Sequence, residues 1–185
     1  KQARWYYNDS VTYAPMNYGL LYNWNAAVDT FNTAYGETSV NTTYSDMTFT
    51  GHRRGICPMG WHLTSDAEWT TMTDYVSSQS QYMCGGDTSY IAKALAESFG
   101  WNNYTDTCCV GSDQSANNAT GFSAVPAGYL SGSSFGFAGG SARFWSATQD
   151  SSSHSFYRGL GFYYAYMSRY AGNKDNGCSV RCLRD

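Results

Sequence analysis

The chain is poor in charge. Only 14% of its 185 residues are Asp, Glu, Lys or Arg, against about 25% in an ordinary domain. The net charge of -3 argues against nucleic acid as a partner, because neutralising phosphates takes a basic stripe. Arg53 and Arg54 are the only adjacent basic pair, and a solvated turn accounts for them. No apolar run approaches about 18 residues, so no membrane span is expected. No leader segment is legible and Lys1 is not a natural start, so the chain reads as a mature or excised piece. There is no Cys-x-x-Cys pair, and His52, His62 and His154 do not sit at zinc-ligand spacing. No tandem repeat is evident. No Ser-His-Asp or Cys-His arrangement is legible, so a non-enzyme is expected. The carboxylate and carbonyl ligands of a calcium site are not gathered in the sequence. No cofactor is expected, with a structural calcium left open.

What replaces charge is hydroxyl and amide. Ser, Thr, Asn and Gly are abundant, and there are 17 Tyr. Such a surface tolerates secretion and suits polar ligands such as glycans. Six cysteines, an even number, favour disulfides and an oxidising compartment; reduced buried thiols are the alternative. Six cysteines allow about 15 pairings, and neighbours such as Cys108 and Cys109 rarely pair because the peptide between them strains the geometry.

At 185 residues the chain is expected to be one domain, 1–185, able to bury roughly two-thirds of its unfolded surface. Residues 1–18, with Trp5, Tyr6, Tyr7 and Tyr13, carry an aromatic strand signal. Leu20, Leu21, Trp24 and Val28 recur at helical spacing. Residues 29–54 read as a long loop, and 55–63 as a turn into a short strand. Ser65 followed by Glu68 is a capping box that opens a helix with Trp69, Met72 and Val76 on its buried face. Asp66 and Glu68 can also be read as a catalytic carboxylate pair, but capping and the positive helix end account for both. A second helix is predicted over 89–99, with Ile91, Leu95 and Phe99 inward and Gly100 as its stop. Residues 121–130 alternate like a strand. Short strands follow at 143–149, 155–162, 164–170 and 178–183, the last to be paired near the Cys57 segment. Two helices, short antiparallel strands and long loops make an α+β pattern.

Residues 143–178 are the expected ligand-display region. Tyr, Ser, Gly and Asn are what binding loops are made of: rigid amphipathic area interspersed with adaptable hydrogen bonding. The candidate ligand-binding residues are Asp150, His154, Phe156, Gly159, Gly161, Tyr163, Tyr164, Tyr166, Ser168, Tyr170, Asn173, Asp175 and Asn176. Tyr164, Tyr166 and Tyr170 are placed on one strand face, where some of the tyrosines can belong to the core. His154, in a Ser-rich turn, is either a ligand contact or simply exposed. His62 reads as a satisfied core histidine.

Six phrases occur in order: Tyr18-Gly19-Leu20-Leu21-Tyr22-Asn23-Trp24, Gly55-Ile56-Cys57-Pro58-Met59-Gly60-Trp61-His62-Leu63, Ser65-Asp66-Ala67-Glu68-Trp69, Thr120-Gly121-Phe122-Ser123-Ala124-Val125-Pro126-Ala127-Gly128-Tyr129, Trp145-Ser146-Ala147-Thr148 and Ser179-Val180-Arg181-Cys182-Leu183-Arg184-Asp185. Together they resemble the Fibrobacter succinogenes major paralogous domain of secreted and surface proteins in Bacteroidetes-type bacteria. The resemblance implies a C-type-lectin-like fold, an extracellular or cell-surface location (cell, pilus tip or phage tail), and a place in a larger surface or virion assembly. It also implies a Cys57–Cys182 bridge. Cys84, Cys108, Cys109 and Cys178 look like additions of this chain. One bridge from Cys84 to Cys108 or Cys109, and one from Cys178 to the other, would pair them all. Calcium lectins of that fold carry Glu-Pro-Asn or Gln-Pro-Asp, but here Pro126 lies between Val125 and Ala127, and Trp101-Asn102-Asn103 lacks the usual Asp. Some proteins of the fold are variable targets of diversity-generating retroelements. Asp150, His154, Phe156, Gly159, Gly161, Tyr163, Tyr164, Ser168, Ala171, Gly172, Asp175 and Asn176 fall within the residue set that adenine-directed mutagenesis produces. They are interspersed among scaffold-like Trp145, Tyr157, Leu160, Arg169 and Val180. The expected function is non-catalytic binding of a protein or glycan ligand; the alternative is a structural module of a larger surface protein.

Overall fold

The computed structural model describes residues 3–4, 9–28 and 53–185. Trp5, Tyr6, Tyr7 and most of the predicted 29–54 loop lie outside these. In chain order the elements are β1 (Ala3–Arg4), α1 (Ser10–Tyr13), β2 (Leu21–Tyr22), α2 (Trp24–Ala27), β3 (Trp61–Leu63), α3 (Asp66–Ser77), α4 (Ala92–Leu95), β4 (Tyr129–Ser131), β5 (Ser134–Gly136), β6 (Ser141–Gln149), β7 (His154–Gly161), β8 (Ser168–Asn173) and β9 (Cys182–Arg184). The chain is a mixed α and β protein with few helices and small antiparallel sheets: β1–β2, β3–β9, β4–β5 and β6–β7–β8.

Helix α3 forms where the sequence predicts it. The Ser65 side chain accepts from Glu68 N while Glu68 accepts from Ser65 N, which closes the capping box. Trp69 and Val76 are buried and Met72 packs against the same core. The predicted 89–99 helix shrinks to α4. At its start the Asp87 carboxylate takes Ser89 N and Oγ, a local bond that competes with the helix. At its end Ala96 turns extended and Glu97 N donates to Ala124 O at 2.8 Å. Sheet-like pairing replaces the last turn, and Phe99 is left 54% exposed rather than buried. The 20–28 helix is likewise only α2, capped by Asn23. Tyr22 is held extended by a reciprocal pair of backbone bonds to Cys178 at 2.8 and 3.0 Å.

The predicted 121–130 strand begins only at Tyr129, because Gly121 and Ser123 have φ values of +72° and +56°. The predicted 164–170 strand starts at Ser168: Tyr164 N donates back to Gly161 O, closing a turn. Residues 178 and 179 form single bridges to Tyr22 and Phe144. The last strand, β9, then pairs Leu63 with Cys182 and Trp61 with Arg184, beside a disulfide between Cys57 and Cys182. Arg53 and Arg54 are half-buried rather than solvated, and Arg54 Nε donates to Cys57 O at 3.0 Å.

The inner face of the three-stranded sheet, with Ala142, Phe144 and Leu160, packs under α3 and α4 on Trp69, Val76, Ile91 and Leu95. A second cluster gathers Trp24, Val28, Cys57, Leu63, Trp145 and Cys178. Its tryptophans are satisfied: Trp24 Nε1 donates to Ser146 O and Trp145 Nε1 to Tyr22 O. Such buried indoles each contribute roughly 3–5 kcal/mol against truncation.

Candidate functional site

Side chains along β7 alternate across the sheet. Arg158 and Leu160 point inward. The Arg158 guanidinium donates to Asp66 Oδ1 at 2.9 Å and Thr70 Oγ1 at 2.7 Å. Arg169 donates to both Asp66 oxygens while lying 3.8 Å over Phe156. Asp66 is therefore taken by two arginines, and Phe156 and Arg169 serve the helix side of the sheet.

The other face is different. The register aligns Arg143, Gly159 and Ser168 in one row, Trp145, Tyr157 and Tyr170 in the next, and Ser141 with Gly161 on the far side. An open cleft on this face is lined by Phe137, Ser141, Arg143, Tyr157, Tyr163, Tyr164, Ser168 and Tyr170. A Cβ on Gly159 would come within 2.9 Å of Ser168 Oγ, and one on Gly161 within 2.9 Å of the Tyr164 ring. The missing side chains let the Ser168 hydroxyl and the Tyr164 ring close down on the strand.

Two aromatic series border it. In the first, Phe137 stacks on Tyr129, and the Arg143 guanidinium carbon sits 3.4 Å from the Tyr129 ring centre and 5.2 Å from that of Tyr157. Tyr157 in turn packs on Tyr170. In the second, Tyr163 lies 4.2 Å from Tyr164, which stacks on Tyr166 at 4.9 Å, and Tyr104 packs against Phe162 and Tyr163. Phe137, Tyr163, Tyr166 and Tyr170 are all exposed. Hydrogen bonding to Tyr163 pushes the Tyr164 hydroxyl up to about 12, so it stays neutral.

Backbone grips hold the loops at the two ends of the sheet. The buried Lys93 ammonium donates to the carbonyls of Cys109, Ser112 and Asp113. That loop then binds the second aromatic series, through Gly111 N to Phe162 O and Val110 N to Tyr164 O. Buried Lys174 donates to Gln149 Oε1 and to the carbonyls of Ser151 and Ser152, with its ammonium 4.5 Å from the Trp24 ring. Burial lowers the pKa of both lysines.

The thirteen candidate residues therefore divide. Gly159, Gly161, Tyr163, Tyr164, Ser168 and Tyr170 line the cleft, and Tyr166 stacks at its edge. Tyr164, Tyr166 and Tyr170 do not alternate on one strand; the first two lie on the turn before β8. Ser168 is buried and donates to Gly159 O. Phe156 belongs to the opposite face. Asp150, His154, Asn173, Asp175 and Asn176 cluster at the far end, where His154 pairs with Asn173 and Asp150 N donates to His154 O. Five residues of strand, about 17 Å, separate His154 from Gly159. Ser153 Oγ hydrogen-bonds His154 Nδ1. The sequence reading missed Tyr104, Tyr129, Phe137, Ser141 and Arg143. Arg143 was the one with a signal: it lies two residues before Trp145, in phase with it on β6.

The cysteines need one correction. Besides Cys57–Cys182 there is a Cys84–Cys108 bridge, but Cys109 and Cys178 remain buried thiols rather than a third pair. Cys109 Sγ donates to Tyr163 O at 3.2 Å, while Cys178 lies in the second core cluster on the far side of Trp145. Burial raises both thiols, Cys178 to about 12.

Away from the cleft, buried His62 hydrogen-bonds Glu68 Oε1 at 2.8 Å through Nε2 and Asp185 Oδ1 at 2.6 Å through Nδ1. Burial alone would lower its pKa; the two carboxylates outweigh burial and raise it. Among the described residues, no group of three His, Cys, Asp or Glu is placed to hold a metal ion, and no helix is long and apolar enough to cross a membrane.

The family model of the Fibrobacter succinogenes major domain matches residues 1–184. No curated protein and no solved structure matches the chain.

Proposed function

The chain belongs to the Fibrobacter succinogenes major domain family, and within it we propose that this is a non-catalytic, extracellular ligand-binding domain, a receptor or adhesin of C-type-lectin-like fold. One observation carries the reading: exposed Phe137, Tyr163, Tyr166 and Tyr170 gather around one open cleft. Rigid aromatic anchors supply most of the energy at binding surfaces, and contiguous exposed apolar area on a domain marks an interaction site. The two disulfides are consistent with an oxidising, extracellular setting. A non-catalytic role is supported by where the acids are committed. Asp66 is bound to two arginines, and Glu68 to Ser65 and His62.

The ligand is a protein or glycan, met as part of a larger surface or virion assembly. Residues 149–176 are further proposed as a retroelement-diversified stretch. That idea requires a near-copy of the coding region beside a reverse transcriptase, differing only at adenines; differences at other bases would remove it. Binding itself is tested on a glycan array with wild type, Tyr164→Ala and Tyr166→Ala. Loss of signal in the variants supports the surface. Equal signal in all three would exclude those tyrosines.

A further inference from the structure

Arg143 stands apart from Arg158, Arg169 and Arg181. Arg158 and Arg169 donate to Asp66, and Arg181 donates to Phe122 O. The Arg143 guanidinium meets only rings: Tyr129 at 3.4 Å and Tyr157 at 5.2 Å. Among the described residues it has no hydrogen-bond acceptor and no carboxylate partner, although the domain as a whole is acidic. Arg143 lines the cleft, and ring contact uses none of its N–H groups, which remain free to donate. A guanidinium edge is a two-pronged donor matched to a planar carboxylate. The same cleft is lined by Tyr163, Tyr164 and Tyr170.

We propose that the cleft binds the carboxylate of an acidic sugar, a uronate ring within a glycan, with Arg143 as the residue that selects the charge. This rests on the ligand-binding reading above and names the ligand class for the same cleft. A sugar ring fits what surrounds Arg143. Aromatic faces carry negative quadrupole density that attracts the weakly positive C–H faces of a pyranose. Exposed tyrosine hydroxyls can both donate to and accept from ring hydroxyls. An extended peptide is less well served: the cleft opens on the sheet face, at the central strand β7, away from the outer edge of β8, which no strand among the described residues pairs and to which a peptide strand would add.

The test is a nuclear magnetic resonance titration of the intact chain with methyl glucuronide, its uncharged amide, methyl glucoside and the peptide Gly-Glu-Gly. The glucuronide is expected to bind wild type about tenfold or more tighter than its amide or the glucoside, the equivalent of one charge-assisted contact. Arg143→Gln is expected to abolish that preference, Arg143→Lys to weaken it, and Arg184→Gln, on exposed β9, to leave it intact. The amide comparison uses wild type alone, so it decides even if Arg143→Gln fails to fold. Equal binding of glucuronide and amide, an unchanged preference in Arg143→Gln, or tighter binding of Gly-Glu-Gly would overturn the inference. If neutral glycans bind and Tyr163→Ala or Tyr170→Ala removes that binding, the ligand-binding reading stands while the acidic-sugar inference falls. If neither the probes nor an array detects binding, both fall.

Discussion

At the β3–β9 seam, His62 gives both ring nitrogens to carboxylates, Glu68 closes a capping box, and Cys57 is bonded to Cys182. On the open face of β6–β8, the rings of Tyr163, Tyr164 and Tyr166 lean on one another, and Arg143 keeps its N–H edges unmatched. A chain with so little charge spends it unevenly. Along the seam nearly every ionic group has a partner, so the seam is a closing device. Around the cleft polar capacity is left over, and left-over capacity is what a ligand uses.

The comparison is most strongly tested at the disulfide. Cys57 and Cys182 are 125 residues apart, so replacing both with Ser should cost about 5 kcal/mol on a chain-entropy estimate. Urea denaturation would read this as a lower midpoint, while under native conditions the cleft should bind as before. A negligible shift would mean that the seam is not the closure described. Next in size is Trp145→Ala, where the two regions touch: the indole fills the second core and packs edge-on against Tyr157. The expected loss is about 3–5 kcal/mol, and this should be the substitution that weakens stability and cleft binding together.

The seam should also respond to pH. His62 is held above its ordinary value of 6.5, so its contribution is complete below pH 6.5 and disappears as pH rises through the raised value. Glu68 is held below its ordinary 4.5. Burial opposes that shift, but hydrogen bonds from Ser65 and His62 overcome it; its contribution is complete above pH 4.5 and disappears as pH falls through the lowered value. Stability measured against pH should therefore plateau between 4.5 and 6.5. His62→Gln should cost about 2 kcal/mol at pH 6, mostly through Glu68 because half-exposed Asp185 is screened. It should also flatten the alkaline limb; an unchanged limb would place the pH dependence elsewhere. The smallest effect is expected at Tyr163→Ala and Tyr166→Ala, within about 0.5 kcal/mol of wild-type stability, with loss of ligand binding. A large destabilisation by either would show that the open face serves the core after all.

The seam was far more legible in the sequence than the cleft. Ser65 and Glu68 are three residues apart and cap the helix by local chemistry, which a linear reading can see. The 89–99 helix was misjudged because its end is decided by a bond from Glu97 to Ala124, remote in sequence. The cleft was half-read for the same reason. Its tyrosines and glycines lie in the expected stretch, but Tyr129 and Phe137 arrive on the β4–β5 hairpin, tied to β6 through the Gly128–Ala142 bridge. Tyr104 comes from a loop held by Lys93 and Gly111. No spacing rule connects those positions to residues 159–170.

Lys174 carries a consequence for how this surface can change over generations. Two of its bonds on the 149–154 turn go to main-chain carbonyls, those of Ser151 and Ser152. A carbonyl oxygen is the same whatever side chain its residue bears. Position 152 can therefore be rewritten, codon by codon, without releasing the ammonium that fastens the turn, whereas Ser151 also accepts from His154 N through its hydroxyl. Lys93 grips the carbonyls of residues 109, 112 and 113 in the same way, but Cys109 is buried with its thiol on Tyr163 O and Asp113 accepts from Ser115, so only position 112 shares that freedom. At positions 152 and 112 inheritance of shape is thereby separated from inheritance of side-chain identity, and novelty there costs the fold little.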